Sequence, residues 1–241
     1  MTPIRRPFDG LSACFINTTL KPTESAASHT ERLMDNAMAI MRRQGVHIDY
    51  LRAADFAIAF GIQPDMREEG AGRDDWLEAI WPKIRDSDIL VIGTPLWLGE
   101  ESSICRTVIE RLYAHSAETA ANGQYVFYGK AGGCMVTGNE DGIKHASMSV
   151  LYALQHIGYA IPPQADCGWV GEAGPGASYG DDGAGLDNDF TRRNTTFMTW
   201  NLMHMARLLK EAGGIPAYGN VPADWENGER FGHPAASEAA R

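Results

Sequence analysis

Short apolar runs alternate with longer amphipathic segments along most of the chain. Five runs predict strands, in residues 11–16, 46–51, 89–93, 131–136 and 160–170. Most of them are apolar without alternation, which is typical of strands buried on both faces of a parallel sheet. Pro162 and Pro163 weaken the last of the five, because proline donates no hydrogen bond to a neighbouring strand.

The segments between the strands carry apolar residues at helical spacing. They predict helices over residues 29–45, 74–85, 104–112, 143–157 and 191–211. Pro82 falls inside the second of these helices and predicts a kink or an early end there. Strands that alternate with helices indicate the α/β class, a parallel sheet with helices on both faces.

One domain accounts for this pattern, because no linker separates the strand–helix pairs. We predict a single domain over residues 1–241, with a core at about 11–212, an N-terminal arm at 1–10 and a C-terminal tail at 213–241. Residues 171–189 form the longest irregular segment, rich in glycine, acidic and aromatic residues. Irregular segments of this length are usually functional or disordered. Together with Trp169 and Tyr179, this segment fits a lid over a site, a contact across a dimer interface, or a solvent-exposed excursion.

Net charge, apolar runs and cysteine spacing exclude several classes of function and location. The formal charge is −10, from 21 Lys and Arg against 31 Asp and Glu, which argues against a nucleic-acid partner. The chain has neither a secretory signal pattern nor an apolar run of about 18 residues, so we expect a cytoplasmic protein without a membrane segment. Cys14, Cys105, Cys134 and Cys167 are too far apart for a metal motif, and we expect reduced, buried thiols and no metal site.

The loops after the first, third and fourth predicted strands are expected at one edge of the sheet, where ligands of open α/β folds bind. The first loop, before a helix N-terminus, contains Thr18, Thr19, Lys21, Ser28, His29 and Thr30. Hydroxyls, free N–H groups and a helix dipole favour a bound phosphate, although an ordinary Ser- or Thr-capped helix has the same pattern. The chain contains neither the glycine-rich dinucleotide fingerprint after the first strand nor a P-loop.

The other two loops carry groups that suit a planar ring. The loop after the third strand contains Thr94, Pro95, Leu96, Trp97, Leu98 and Gly99. We predict a turn at Thr94-Pro95 and a flat apolar ligand against Trp97, although a buried turn with Trp97 packed on the next helix fits the same residues. The loop after the fourth strand contains Thr137, Gly138, Asn139, Glu140, Asp141 and Gly142. Its amides and polar side chains are suited to hydrogen-bonding the edge of a heterocycle.

In this order, the three loops resemble those of the flavodoxin-like, FMN-dependent NAD(P)H oxidoreductases. The resemblance covers about residues 11–160, and the loop after the third strand, together with Ser102, matches best. The first loop departs from the family pattern at Thr18, Lys21 and His29, where glycine, arginine and asparagine are usual. The resemblance implies a three-layer sandwich around a five-stranded parallel sheet of order 2-1-3-4-5, with FMN bound by the residues of all three loops named above.

The resemblance also implies the chemistry and the partners. NAD(P)H would reduce the FMN, and a small acceptor, namely a quinone, a free flavin or a nitroaromatic compound, would reoxidise it. The N–H groups of residues 139–142 would stabilise the reduced ring. His145 is a candidate proton donor, although a histidine here is also typical of a helix surface. A homodimer or homotetramer is implied as well.

Two other functions fit the same fold. A flavodoxin-type electron carrier would pass electrons to protein partners without its own NAD(P)H reductase activity, and the acidic net charge suits such a carrier. Against it, the chain is much longer than a minimal flavodoxin-like domain, which favours the enzyme. The third interpretation is a regulatory domain that binds no flavin.

Overall fold

The computed structural model describes residues 7–174 and 176–235. Its strands are β1 (Ser12–Asn17), β2 (His47–Arg52), β3 (Ile89–Trp97), β4 (Glu100–Glu101), β5 (Ala131–Gly138) and β6 (Asp166–Val170). The long strands are parallel and lie in the order β2-β1-β3-β5-β6, while β4 pairs antiparallel with β3. The predicted class and strand order are therefore confirmed, with β4 as one additional short strand.

Helices cover both faces of this sheet. They are α1 (His29–Arg43), α2 (Trp81–Arg85), α3 (Ser103–Tyr113), α4 (Ile143–Ile157), α5 (Asp189–Ala212) and α6 (Pro222–Glu226). One apolar core lies between the sheet and the pair α1 and α5, and the other lies under α2, α3 and α4. Within residues 7–174 and 176–235, none of the helices combines the length and the hydropathy that crossing a bilayer requires.

The apolar run of β3 does not alternate with polar residues because β3 is the middle strand and has a core on each face. Leu90 and Ile92 enter the core under α3 and α4, whereas Ile89 and Val91 enter the core under α1 and α5. A strand with cores on both faces needs apolar residues at every position.

The chain ends pack on the body where they are described. Phe8 is buried, and its ring lies 5.8 Å from that of Trp200 in α5. The Gln124 amide donates to the Pro216 carbonyl and to Asn220 over 3.3 and 3.0 Å. The predicted arm at residues 1–10 and tail at 213–241 extend outside the described residues, through 1–6 and 236–241.

The turn predicted at Thr94-Pro95 is wrong. β3 continues to Trp97, and the chain turns at Leu98 and Gly99, where φ is +55° and +81°. Pro95 is tolerated in β3 because its pairing with β1 ends at Gly93. On the β1 side, no strand carbonyl therefore lies opposite Pro95 and lacks an N–H donor.

The helix predicted over residues 74–85 is divided. A π-helical turn at Trp76–Ile80 is followed by α2, with Pro82 in its first turn. Proline is accepted there because the first N–H groups of a helix have no intrahelical partner. The helix does not end early at Pro82: it changes from π- to α-helical geometry just before this residue and continues to Arg85.

A buried ion pair holds the connection between β2 and this segment. Arg111 of α3 donates to the Asp74 carboxylate over 2.8 Å and to the Pro64 carbonyl over 3.0 Å. The same carboxylate accepts the N–H groups of Ala59 and Met66, each over 3.3 Å. Burial lowers the pKa of the Arg111 guanidinium, so the pairing with Asp74 offsets the desolvation of its charge. Arg111 thus attaches the connection between β2 and the π-helical turn to α3.

His115, which follows α3, is buried beside Trp76 and Trp81. Its ring stacks on Trp81 with the centroids 3.8 Å apart, and the Trp76 indole donates to its Nε2 over 2.9 Å. An indole N–H only donates, so Nε2 carries no proton, and Nδ1 donates to the Glu118 carboxylate over 2.6 Å. Burial lowers the pKa of His115, and the folded protein therefore holds the neutral ring.

We predict that His115 makes folding stability depend on pH. Because its pKa is lower in the folded than in the unfolded chain, its contribution is complete above about pH 6.5 and is lost as the pH falls through the folded value. Denaturant titrations at about pH 7.5 and about pH 5.5 are expected to show a larger loss of unfolding free energy in the wild type than in His115→Gln. The exposed His47→Gln variant should behave like the wild type, and equal losses in the wild type and His115→Gln would contradict the prediction.

Candidate functional site

The loops after β1, β3 and β5 surround a cavity at the carboxyl edge of the sheet. Its volume is about 380 Å³, which is ample for a small-molecule site. The segment between β6 and α5 closes its remaining side. The lining residues of this edge cavity are Thr19, Leu20, Lys21, His29, Thr30, Pro95, Leu96, Trp97, Thr137, Gly138, Asn139, Glu140, Gly174, Ser178 and Tyr179.

Asn17, buried at the end of β1, shapes the first loop. Its side-chain oxygen accepts the N–H of Thr19 over 3.0 Å, and its amide nitrogen donates to Ser28 over 2.9 Å and to Tyr50 over 3.0 Å. Ser28 caps α1 by accepting the N–H of Glu31 over 3.2 Å. One amide thus joins the start of the loop to the N-terminus of α1.

The end of the edge cavity at α1 suits an anion. The N–H groups of His29 and Thr30 lie in the first turn of α1, where a helix offers no carbonyl to accept them. Thr19 and Thr30 add hydroxyl groups, and Lys21 adds an ammonium group. Helix N-termini with such donors bind phosphate and carboxylate groups.

Arg52, at the end of β2, hydrogen-bonds to the backbone of the first loop. Its buried guanidinium donates to the carbonyls of Lys21 and Ala26 over 3.4 and 3.1 Å and pairs with the Glu31 carboxylate. This pair neutralises the acidic residue in the first turn of α1. The guanidinium therefore fixes the backbone that carries Lys21 without itself lining the edge cavity.

The second loop forms a flat apolar wall. Pro95, Leu96 and Trp97 line the edge cavity from the extended end of β3, and the Trp97 side chain is half exposed. Ser102 caps α3 and donates to the Thr18 carbonyl over 2.6 Å, which ties this hairpin to the first loop. The wall is thus held at a set distance from the anion-binding end.

The third loop is bonded to both of the others. The Thr30 and Thr137 hydroxyls lie 2.8 Å apart, and the Glu140 carboxylate accepts the N–H of Leu98 over 2.6 Å. The Glu140 charge is therefore engaged in holding the two loops together.

Gly174, Ser178 and Tyr179, from the segment between β6 and α5, form the fourth wall, and the role of this segment as a lid stays a prediction. Tyr179 is buried, and its carbonyl accepts from Nδ1 of His29 over 3.1 Å. Its phenol contacts Asn36 at 3.2 Å, and Arg32 pairs with Asp181 over 3.1 Å. Burial raises the pKa of the Tyr179 phenol, which keeps it neutral. The described part of this segment is therefore bonded to α1.

Most of the predicted site residues come together at the edge cavity. The residues that line it are Thr19, Lys21, His29, Thr30, Pro95, Leu96, Trp97, Thr137, Gly138, Asn139 and Glu140. The residues that do not are Thr18, Ser28, Leu98, Gly99, Asp141 and Gly142. Among the second set, the Thr18 hydroxyl donates to the Gly93 carbonyl over 2.8 Å, and the Leu98 side chain is 91% exposed. Contacts of either set with a ligand stay predictions.

His145 lies outside the lining of the edge cavity. It lies on the surface of α4, and its Nε2 is 2.8 Å from the carboxylate of Glu100 in β4. Its proposed role as a proton donor stays a prediction, and this position gives it no direct contact with the lining.

Sequence reasoning missed Leu20 in the lining, whereas Gly174, Ser178 and Tyr179 belong to the segment 171–189 for which a lid was one of the expectations. The signal for Leu20 is an isolated apolar residue between Thr19 and Lys21, in a loop otherwise rich in polar groups. Tyr179 is an aromatic residue in a glycine-rich segment, but its partner Asn36 is on α1, far away in the chain.

The edge cavity offers binding groups rather than an activated nucleophile. Burial raises the pKa of the Cys105 and Cys167 thiols to about 12, and all four cysteines are buried and unpaired. His29 is engaged with the Tyr179 carbonyl. The arrangement is suited to holding a ligand that brings its own reactivity.

We predict that Gly142→Ala is destabilised more than Gly70→Ala. Both glycines have positive φ, +110° and +92°, so the conformational cost is shared. Only at Gly142 would the new Cβ come within 2.6 Å of the Gly99 Cα, whereas it meets nothing near Gly70. The excess, measured as free energy of unfolding, is expected at roughly 1–3 kcal/mol. Equal destabilisation of the two variants would contradict the close contact between the second and third loops.

Fold and edge cavity together define a flavodoxin-like protein whose site combines an anion-binding end with a flat apolar wall. The chain belongs to the NADPH-dependent FMN reductase family, whose model matches residues 21–170.

Two curated relatives are similar over most of this chain. A Mycobacterium bovis protein named divalent metal cation transporter MntH is 55% identical over 218 residues, which are 90% of this chain and 32% of that protein. The chain thus spans about a third of that relative's length. The 8-demethyl-8-aminoriboflavin-5'-phosphate synthase of Streptomyces davaonensis is 35% identical over 205 residues, 83% of this chain and 79% of that enzyme.

Among solved structures, the crystal structure of RosB with bound 8-demethyl-8-formylriboflavin-5'-phosphate has a TM-score of 0.79 to this chain, at 30% identity and 94% coverage of both chains. A flavone reductase has a TM-score of 0.57 at 13% identity, a likeness of fold alone.

Proposed function

We propose that the chain binds FMN in the edge cavity and passes electrons from NAD(P)H to a small acceptor such as a quinone, a flavin or a nitroaromatic compound. The observation that carries this proposal is one cavity with an anion-binding end at α1 and a flat apolar wall at Trp97. RosB, similar over 94% of both chains, holds a riboflavin 5'-phosphate derivative, which supports a flavin phosphate in the corresponding cavity of this chain.

The donors at α1 fit the phosphate of FMN. In the described part of the chain the Lys21 ammonium has no acidic partner, so its charge is available to an anion. The Thr19 and Thr30 hydroxyls and the first N–H groups of α1 supply further donors. The Glu31 carboxylate, which would repel a phosphate, is neutralised by Arg52.

The second and third loops fit the isoalloxazine ring. Trp97 and Leu96 present apolar surface to a flat ring, and Asn139 and Glu140, which line the edge cavity, would offer their N–H groups to its polar edge. Gly138 allows the two loops to converge, because a Cβ there would lie 2.6 Å from the Leu96 Cβ.

When bound, FMN supplies the redox chemistry, the exchange of two electrons between NAD(P)H and the acceptor. The chain holds the phosphate, orients the ring against Trp97 and admits the second reactant at the mouth of the edge cavity. A quinone acceptor takes up two electrons and two protons, of which NAD(P)H supplies both electrons and one proton, and solvent supplies the second proton.

We predict that the purified protein carries or takes up FMN and that NADPH bleaches it. Absorbance spectra of the FMN-loaded protein, before and after anaerobic addition of NADPH, should show the flavin bands and their rapid loss. Addition of a quinone should then restore the bands. Absence of flavin after incubation with FMN would contradict the proposal.

One outcome of the absorbance experiment would favour a different function. Flavin bands that persist with NADPH but disappear with a partner reductase would favour the electron carrier.

The Streptomyces relative is named as a synthase of a modified riboflavin phosphate, which makes FMN as substrate the second candidate. Mass spectrometry of the released flavin separates the two roles, since a cofactor keeps the mass of FMN and a substrate does not.

We predict that Arg52→Gln weakens FMN binding selectively. Loss of the guanidinium frees the first loop and leaves the Glu31 charge unpaired near the phosphate, so the dissociation constant of FMN should rise roughly ten- to a hundredfold. Riboflavin, which has no phosphate, should bind this variant and the wild type equally in fluorescence titrations. Arg85→Gln, on the surface, is the matched control. Equal losses for FMN and riboflavin would contradict a role in phosphate recognition.

A further inference from the structure

A second, smaller cavity adjoins the edge cavity across Leu20, which lines both. Its volume is about 240 Å³, below the range of about 300–1,000 Å³ that whole small-molecule sites occupy. The lining consists of Leu20, Pro22, Ala53, Ala54, Phe56, Ile58, Phe60, Ile104 and Thr107. Among the described residues, this Leu20 groove therefore has no charged side chain in its lining, and Thr107 supplies its one side-chain hydroxyl.

Phe60 stands at the rim of the Leu20 groove, where its side chain is 80% exposed. Gly61 beside it has a φ of +139°, and a Cβ there would lie 2.3 Å from the Met66 Sδ. The positive φ therefore favours glycine beside the exposed Phe60, and any other residue here would be strained and would displace the Met66 side chain.

The segment that carries Phe60 is held on both sides. Ala57 exchanges hydrogen bonds with Asp75, donating to its carboxylate over 2.8 Å and accepting its N–H over 2.7 Å. Ala59 and Met66 donate to Asp74, the partner of the buried Arg111. Phe60 is therefore displayed beside the apolar Leu20 groove by a firmly bonded segment rather than by a frayed one.

We propose that the Leu20 groove binds the apolar tail of an uncharged quinone whose ring lies at the mouth of the edge cavity. This inference rests on the proposed function, because the quinone is the acceptor there. The side chain of Leu20 is 47% exposed, so a tail passes over it from one cavity into the other. A groove without charges favours a hydrocarbon chain and disfavours a charged acceptor.

The test compares two quinones with the same ring, one with a methyl group and the other with a decyl chain at the same position. For the FMN-loaded wild type, the KM of the decyl compound should be about tenfold lower. Phe60→Ser should remove most of this preference, and Ala54→Asp should do the same by placing a charge in the groove. Phe190→Ser, which removes an aromatic residue 61% exposed on α5, is the matched control and should retain the preference.

The outcomes separate this inference from the proposed function. A wild type with no preference, or a Phe60→Ser variant that retains it, overturns the tail site while leaving the reductase intact. If neither quinone reoxidises the reduced protein, the acceptor class is wrong, and binding of the decyl quinone is then measured by tryptophan fluorescence. Unchanged binding in Phe60→Ser overturns the tail site in that case too. If sedimentation velocity shows that Phe60→Ser dissociates an oligomer, the groove is a contact between copies of the chain, which also overturns it.

Discussion

The close approach of α1 to the middle strand β3 is the contact on which the edge cavity depends. Gly93 permits it, because a Cβ there would lie 2.3 Å from the Met34 Sδ and 3.0 Å from the Thr30 side chain. The Gly93 carbonyl also accepts both the N–H and the hydroxyl of Thr18, each over 2.8 Å. A single strand position thus determines where α1 begins relative to the sheet and how the first loop leaves β1.

Two buried arginines, Arg52 and Arg111, hold the backbone of neighbouring loops in place. Arg52 bonds the backbone of the first loop, and Arg111 bonds the connection after β2 through Asp74. A buried guanidinium is costly unless its charge is paired, so each one strongly favours the loop conformation that supplies its partners. Walls that are ordered in advance lose less conformational freedom when a ligand binds.

Local sequence signals predicted the elements whose causes are local. The apolar runs located the strands, the apolar residues at helical spacing located the long helices, and Ser28, in the loop expected to cap a helix, is the N-cap of α1. The hairpin after β3 was beyond such signals, because leucine disfavours a positive φ. Leu98 adopts it where its N–H is bonded to Glu140, a residue on another loop.

The sequence by itself determined the α/β class, the strand order through the family resemblance, the loops that converge, and their hydroxyl, ammonium and aromatic groups. Tertiary structure alone decided which of those residues line the edge cavity, that Gly174, Ser178 and Tyr179 complete the lining, and that an apolar groove lies beside Leu20. The reason is physical. Hydrophobic periodicity and helix capping act between near neighbours in the chain, whereas the walls of the site are joined by hydrogen bonds such as Thr30 to Thr137 and Asn36 to Tyr179, whose partners are more than a hundred residues apart.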